Sequence, residues 1–217
     1  MFGINENRAR VALSRLVASG EVATNGTGTY TLSGRLAARA ARLSVSRTGL
    51  DGPFDGAWHV VVVTATGDSP GTRRERRAAL RAARLGELRD GTWLRPANLE
   101  VAFDDATSAA VTRFTAVPAG DPAALAGRVF DLDGWARRAR RLRDELDDLE
   151  LVGPDALATG FERDAEVLRH LQRDPLVPSE LLPGDWPGAA LRARFDAFDA
   201  AYRDVLRAAH RSAGARP

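Results

Sequence analysis

The chain of 217 residues is long enough to bury a sizeable core, as one domain or as two small ones. With no cysteine, and only His59, His170 and His210 scattered along it, the chain excludes a disulfide framework, a thiolate metal site and a histidine ligand cluster. Its 31 basic residues, all arginine, against 29 acids give a formal net charge of +2, and no apolar run approaches the roughly 18 residues of a membrane span.

The basic-then-apolar plan of a secretion leader is missing too, so a cytoplasmic protein without a metal or cofactor is expected. Residues 1–49 carry seven arginines and two acids, residues 50–120 nine of each, and residues 121–217 fifteen arginines and eighteen acids. The positive excess sits in the first module. That is the footprint of a phosphate-backbone binder, and a solvated helix face gives a weaker version of it.

At the amino terminus Asn5 is placed to cap a helix over residues 6–19, and Gly20 to end it in a left-handed conformation. Ala9, Ala12, Leu13, Leu16 and Val17 share one face at helical spacing, which turns Asn7, Arg8, Arg10, Ser14 and Arg15 outward. Two β-branched runs, residues 21–24 and 29–32, flank the turn Asn25-Gly26-Thr27-Gly28 and predict a hairpin. A helix followed at once by a small hairpin is the second half of a winged helix-turn-helix, with the helix in the major groove and the hairpin near the backbone. The outward face is then either a DNA-contact surface or a set of ordinary solvated arginines.

A connecting helix is expected over residues 34–46, ended before a loop at Gly49 and Gly52. Residues 58–66 form a continuous apolar, β-branched run, the pattern of a central strand buried on both faces. Thr72-Arg73-Arg74-Glu75 has capping-box spacing and predicts a helix whose core side is Leu80, Ala83 and Leu85 and which Gly86 stops. Short strands fit at 87–88 and 92–95, a weak helix within 98–109, and a closing strand at 111–117. The order strand, helix, strand, strand, helix, strand is the ferredoxin-like plan. Arg73, Arg77, Arg81 and Arg84 repeat at helical steps along one stripe, which is either a solvated face or a seat for an anion such as effector phosphates or DNA backbone.

Further on, Leu132, Trp135, Ala139, Leu142, Leu146 and Leu149 form one helical seam, and Leu191, Phe195, Phe198, Tyr202 and Val205 another, with a third helix over 156–171. The seams read as core, or as walls of a pocket for an apolar group. Before the last helix, Pro175, Pro178, Pro183 and Pro187 punctuate residues 173–188. Proline fixes φ and lacks an N–H, so this stretch predicts a rigid, non-helical strap. The expected fold class is α+β: a partial winged helix-turn-helix (1–49), a ferredoxin-like central domain (50–120) and a helical carboxyl-terminal domain (121–217).

Several of these stretches resemble the PaaX family of bacterial transcription repressors. They are Arg10-Val11-Ala12-Leu13-Ser14-Arg15-Leu16 followed by Gly20; Trp58; the arginine-rich helix ending at Leu85-Gly86; Gly91-Thr92-Trp93-Leu94-Arg95-Pro96; Phe130-Asp131-Leu132; and the proline strap with Asp174, Glu180, Asp185 and Trp186. The resemblance implies a cytoplasmic homodimer that grips palindromic double-stranded DNA and releases it when an aryl-acyl coenzyme A, typically phenylacetyl-CoA, binds. It implies Asn7, Arg8, Arg10, Ser14 and Arg15 as DNA contacts, and a helical effector-response domain braced by the strap. The residues assigned to the effector are Arg73, Arg77, Arg81, Arg173 and Trp186.

The family has a complete helix-turn-helix ahead of the point where this chain begins, at Met1-Phe2-Gly3-Ile4. The expectations are an upstream start, cover from a partner subunit, or impaired DNA binding. The alternative function is therefore a ligand-sensing and dimerisation protein that binds no DNA. The family's middle domain is similar to the small nuclease-like protein of CRISPR spacer acquisition, which raises a metal-dependent nuclease as a third reading. That chemistry needs an acid at the end of the first central strand. Here the strand ends Val63-Thr64-Ala65-Thr66-Gly67 and Asp68 lies in the following loop, so no enzymatic activity is expected.

Overall fold

A computed structural model of the chain describes residues 6–26, 28–49, 54–152 and 155–214. Met1 to Asn5, Thr27 and Gly52, which carry the expected start, cap, turn and loop, lie outside them. The fold is α+β, with eight α-helices and six strands among the described residues. No helix among them is long and apolar enough to cross a membrane. The chain divides into two compact units interleaved in sequence: residues 1–48, 148–172 and 194–217 form one, and residues 49–147 and 173–193 the other.

The second unit is built on a sheet. Strand β3 (Trp58–Val63) is central, paired antiparallel with β5 (Thr92–Pro96) on one side and β6 (Val111–Ala116) on the other, while β4 (Gly86–Arg89) pairs with β5. Helix α3 (Pro70–Ala82) follows β3, and α4 (Asp105–Ala109) precedes β6, which completes the ferredoxin-like order read from the sequence. Alternation along the strands divides the core. Val61 and Trp93 pack with Leu80, Leu85 and Val101, while Trp58 and Leu94 on the opposite face pack with Ala126, Leu132, Val177 and Leu181. A sheet covered on both faces explains why β3 is apolar at every position but His59 rather than alternating.

Helices α5 (Pro122–Val129) and α6 (Leu132–Asp147) belong to the same unit. Helix α5 escapes apolar periodicity because it is short, yet Asp121 caps it, accepting from the Ala123 N–H at 2.9 Å, with Pro122 at its first position. Helix α6 buries the stripe Leu132, Trp135, Ala136, Ala139, Leu142 and Leu146. Trp186 of the strap stacks on Trp135 with ring centroids 4.6 Å apart.

Four local expectations are corrected. Thr72 does not cap α3: its N–H donates to the Ser69 hydroxyl at 3.1 Å, and Pro70 takes the first helical position, where a missing donor costs nothing. Gly86 does not stop α3 either. The helix ends at Ala82, Arg84 turns left-handed (φ 59°), and Gly86 opens β4, where an added Cβ would collide with the Val129 carbonyl. The helix expected within 98–109 is confined to Asp105–Ala109, because Asp104 is the residue that caps it, accepting from the Thr107 N–H at 2.7 Å. The strap is not wholly non-helical: Ser179–Leu181 makes one 3₁₀ turn, with the Leu181 N–H donating to the Pro178 carbonyl.

In the first unit, α1 (Glu6–Ala18) ends in a Schellman motif. Gly20 is left-handed (φ 72°), its N–H donates to the Val17 carbonyl, and the Glu21 N–H donates to that of Leu16. Strands β1 (Val22–Thr24) and β2 (Tyr30–Leu32) form the hairpin, and α2 (Gly34–Thr48) follows. Helix α2 packs with α7 (Ala156–Gln172). The last helix, α8 (Gly188–Gly214), enters this unit at Arg194 and stacks Phe195, Phe198 and Tyr202 along one face, with centroids 6.2 and 6.0 Å apart. Close approach of α7 and α8 requires Gly160, since a Cβ there would run into the Tyr202 ring.

Charged groups meet beside that aromatic seam. Arg47 of α2 donates to Asp196 at 2.8 Å and to Asp199 at 2.5 Å and lies over the Phe195 ring. Asp164 of α7 is held above the ordinary carboxylate range, first by burial and then by the charge of Asp199, with Arg47 and Arg203 opposing. The folded chain therefore binds this proton more tightly than the unfolded one, so stability is lost as pH rises above the ordinary carboxylate value. Asp164→Asn is expected to raise the melting temperature modestly at pH 7, with the gain shrinking toward pH 4. Thermal unfolding of both chains at the two pH values checks it.

Candidate functional site

Asn7, Arg8, Arg10, Ser14 and Arg15 all fall on exposed positions of α1, so one helix brings together every residue assigned to DNA. Their presentation follows from the termination of that helix and the hairpin beside it. The Ser33 hydroxyl donates to the Gly20 carbonyl at 2.7 Å, and the Glu21 carboxylate accepts from the Leu36 N–H at 2.9 Å, which ties the start of α2 to the end of α1. At the hairpin turn Asn25 accepts through its side chain from the Thr29 N–H at 3.3 Å. The inward face is thinner than the spacing predicts. Leu13, Leu16 and Val17 are half-buried, but Ala9 and Ala12 are exposed, as are Val11 (51%), Tyr30 (46%) and Leu32 (54%).

The arginine stripe divides. Arg73, Arg77 and Arg81 line a cleft of about 430 Å³ with Pro70, Arg74 and Asp90. Arg77 donates to Glu87 and, at 3.5 Å, to Asp90, and both Arg77 and Arg81 lie over the Trp93 ring at 5.5 and 5.6 Å. Arg84 leaves the stripe, because it sits beyond the helix in a left-handed turn. Spacing missed Arg74, which is adjacent to Arg73 in sequence and so appeared to lie off the stripe. Arg173 and Trp186 do not line this cleft: Arg173 is exposed, and Trp186 is committed to its stack on Trp135.

What the sequence reading missed altogether is a polar network beneath the strap, all of it within the second unit. Arg84 donates to the Asp174 carbonyl, and the Asp174 carboxylate accepts from Arg192 at 2.6 Å and from the Leu176 N–H at 2.8 Å. Leu176 is left-handed (φ 51°), and its carbonyl accepts from the Asn98 amide at 2.9 Å. The Asn98 side-chain oxygen in turn accepts from Arg95, a fully buried residue that also donates to the carbonyls of Ala83, Arg84 and Pro96. Burial, and then the charge of Arg84, pushes the Arg95 guanidinium down to about 9, which still leaves it a cation at neutral pH. Arg84 and Leu176 are the non-glycine residues of positive φ among those described, and both belong to this network. Strain of that kind persists where the surroundings over-determine it.

Among the described residues no group of three or more acids and histidines is placed to hold a metal ion. Asp68, the acid nearest the end of β3, is engaged by the buried Arg76.

Residues 51–119 match the PaaX protein central Cas2-like domain, and residues 131–214 match the PaaX-like protein C-terminal domain. A solved structure, that of an uncharacterized protein from Mycobacterium tuberculosis, is 38% identical with a TM-score of 0.72, over 94% of this chain and 84% of that one. No curated protein matches the chain.

Proposed function

The chain belongs to the PaaX family of transcriptional regulators, and from that membership we propose that it is a DNA-binding repressor, released from its operator by an aryl-acyl-CoA such as phenylacetyl-CoA. The observation that carries the DNA reading is the exposed polar face of α1, with Arg8, Arg10 and Arg15 on one helix directly ahead of the hairpin. In this reading residues 1–49 contact DNA, residues 50–120 are the ferredoxin-like centre, and residues 121–217 respond to the effector. An effector weakens DNA affinity only by binding better to a conformation whose two recognition helices no longer match the half-site spacing. A homodimer is supported by β6, an edge strand of the sheet with Phe114 (54%) and the adjoining Val117 (73%) exposed.

Phosphate contacts release counterions, so affinity falls with salt at a slope of about 0.9 per phosphate neutralised. Arg10→Gln with Arg15→Gln is expected to lower DNA affinity and to flatten the salt slope by about 2. A fluorescence-anisotropy titration of duplex promoter fragments from 50 to 300 mM salt (roughly the range over which such slopes are read) tests this. An unchanged slope removes α1 from the interface.

A second reading, a ligand-sensing and dimerisation protein that leaves DNA alone, is favoured by the exposure of Val11, Tyr30 and Leu32 around α1. The same titration separates the two, since that protein shows no salt-dependent binding. A nuclease has the weakest support, because Asp68 is already occupied by Arg76.

A further inference from the structure

We propose that the cleft along α3 binds a diphosphate group carried by a small molecule, with Arg73 and Arg74 as its anchors. This deepens the effector reading by placing the anionic end of the ligand, and it draws on observations separate from those at α1.

The placement of positive charge on α3 is unfavourable without an anion. The amino-terminal end of a helix carries the positive pole of the backbone dipoles, which favours acids there and disfavours cations. The first turn of α3 nevertheless holds no acid, and Arg73 and Arg74 stand at its end. Arg73 with Arg77, and Arg77 with Arg81, are like-charge pairs four residues apart, each unfavourable by about 0.2–0.5 kcal/mol. The fold offsets two of the four cations. Arg77 has Glu87 and Asp90, and Arg81 has the Trp93 ring. Among the described residues the side chains of Arg73 and Arg74 have neither a hydrogen bond nor an ion pair, and both are exposed and line the same cleft.

Four guanidiniums against one carboxylate line that cleft, and the carboxylate, Asp90, is 99% exposed. A guanidinium presents a rigid fork of donors that matches two oxygens of a phosphate, so two unpaired forks side by side suit two linked phosphates. A second cavity of about 460 Å³ shares Arg73, Arg77 and Asp90 with the first and runs on over Val63, Ala65, Leu80 and Trp93. The trough is thus strongly cationic at one end and partly apolar at the other, the combination that a phosphorylated organic molecule requires. Asp68, Glu87 and Asp90 along the same trough oppose a continuous polyanion, which argues for a small ligand over nucleic acid.

The test is calorimetric titration of the full chain with inorganic pyrophosphate, with sulfate at matched ionic strength as the control anion. Arg73→Gln with Arg74→Gln is expected to weaken pyrophosphate binding about tenfold or more, the loss of one charge-assisted contact or two, and Arg10→Gln with Arg15→Gln to leave it unchanged. Both arginines are exposed, and circular dichroism confirms that the variant is folded. Absence of saturable pyrophosphate binding, binding no tighter than that of sulfate, or equal affinity in the Arg73/Arg74 variant overturns the proposal. So does a variant that loses duplex DNA while keeping pyrophosphate, since the occupant is then nucleic acid. Pyrophosphate binding that depends on Arg73 and Arg74 in a chain showing no DNA binding upholds the cleft and retires the DNA reading alone.

Discussion

Replacing Arg95 with alanine is expected to lower the stability of the sheet-containing unit by about 2–5 kcal/mol, the range for truncating a large buried side chain. The residue is fully buried on β5, and every acceptor it meets is a carbonyl or amide oxygen: Ala83, Arg84, Pro96 and Asn98. Helix α3 ends at Ala82, so the carbonyls of Ala83 and Arg84 lie where helical bonding has run out. The buried guanidinium satisfies them from within the unit. Alanine leaves those acceptors unpaired and opens a cavity of side-chain size, two penalties that act together. Since folded domains keep only about 5–15 kcal/mol in reserve, the variant is expected to unfold at much lower urea. Tryptophan fluorescence reads the transition, because Trp58 and Trp93 are buried in the same unit. Arg95→Met, which restores volume without donors, should fall between the two chains. A midpoint for Arg95→Ala matching that of the parent chain would show that the guanidinium is dispensable.

Asp174→Ala is expected to cost a similar amount, about 3–5 kcal/mol. The Asp174 and Arg192 side chains are 4% and 11% exposed, so the pair is screened little by water or salt. The same carboxylate also holds the Leu176 N–H and with it a left-handed non-glycine backbone. Alanine removes both functions, whereas asparagine keeps an acceptor for the N–H and loses only the charge. The order of urea midpoints should therefore be parent, Asp174→Asn, Asp174→Ala. A double-mutant cycle of Asp174→Asn with Arg192→Gln should return a coupling of about 0.5–3 kcal/mol, and a coupling of zero would mean that the two side chains stabilise the strap independently.

Much of the fold was legible because its signals are local. The run Trp58-His59-Val60-Val61-Val62-Val63 announced a central strand, the Asn25-Gly26 turn a hairpin, and the prolines of residues 173–188 a strap, each through the backbone preferences of consecutive residues. The outward face of α1 was legible for the same reason, as helical spacing alone decides which side chains diverge. The cleft was half legible. Spacing grouped Arg73, Arg77 and Arg81 correctly, but it discarded Arg74 and retained Arg84, because spacing assumes that the helix continues and that side chains leave it radially.

The sequence by itself determined the α+β plan, the order of strands and helices within residues 58–117 and the helix that presents Asn7, Arg8, Arg10, Ser14 and Arg15. Only the tertiary structure decided the fate of each of the other arginines. All carry the same charge and the same propensity, yet Arg95 is buried, Arg76 is paired with Asp68, Arg84 reaches Asp174 ninety positions away, and Arg73 and Arg74 are exposed. The physical reason is that the energy of a guanidinium is set by its solvation and by the acceptors around it. Those acceptors come from parts of the chain too distant for any local pattern to announce.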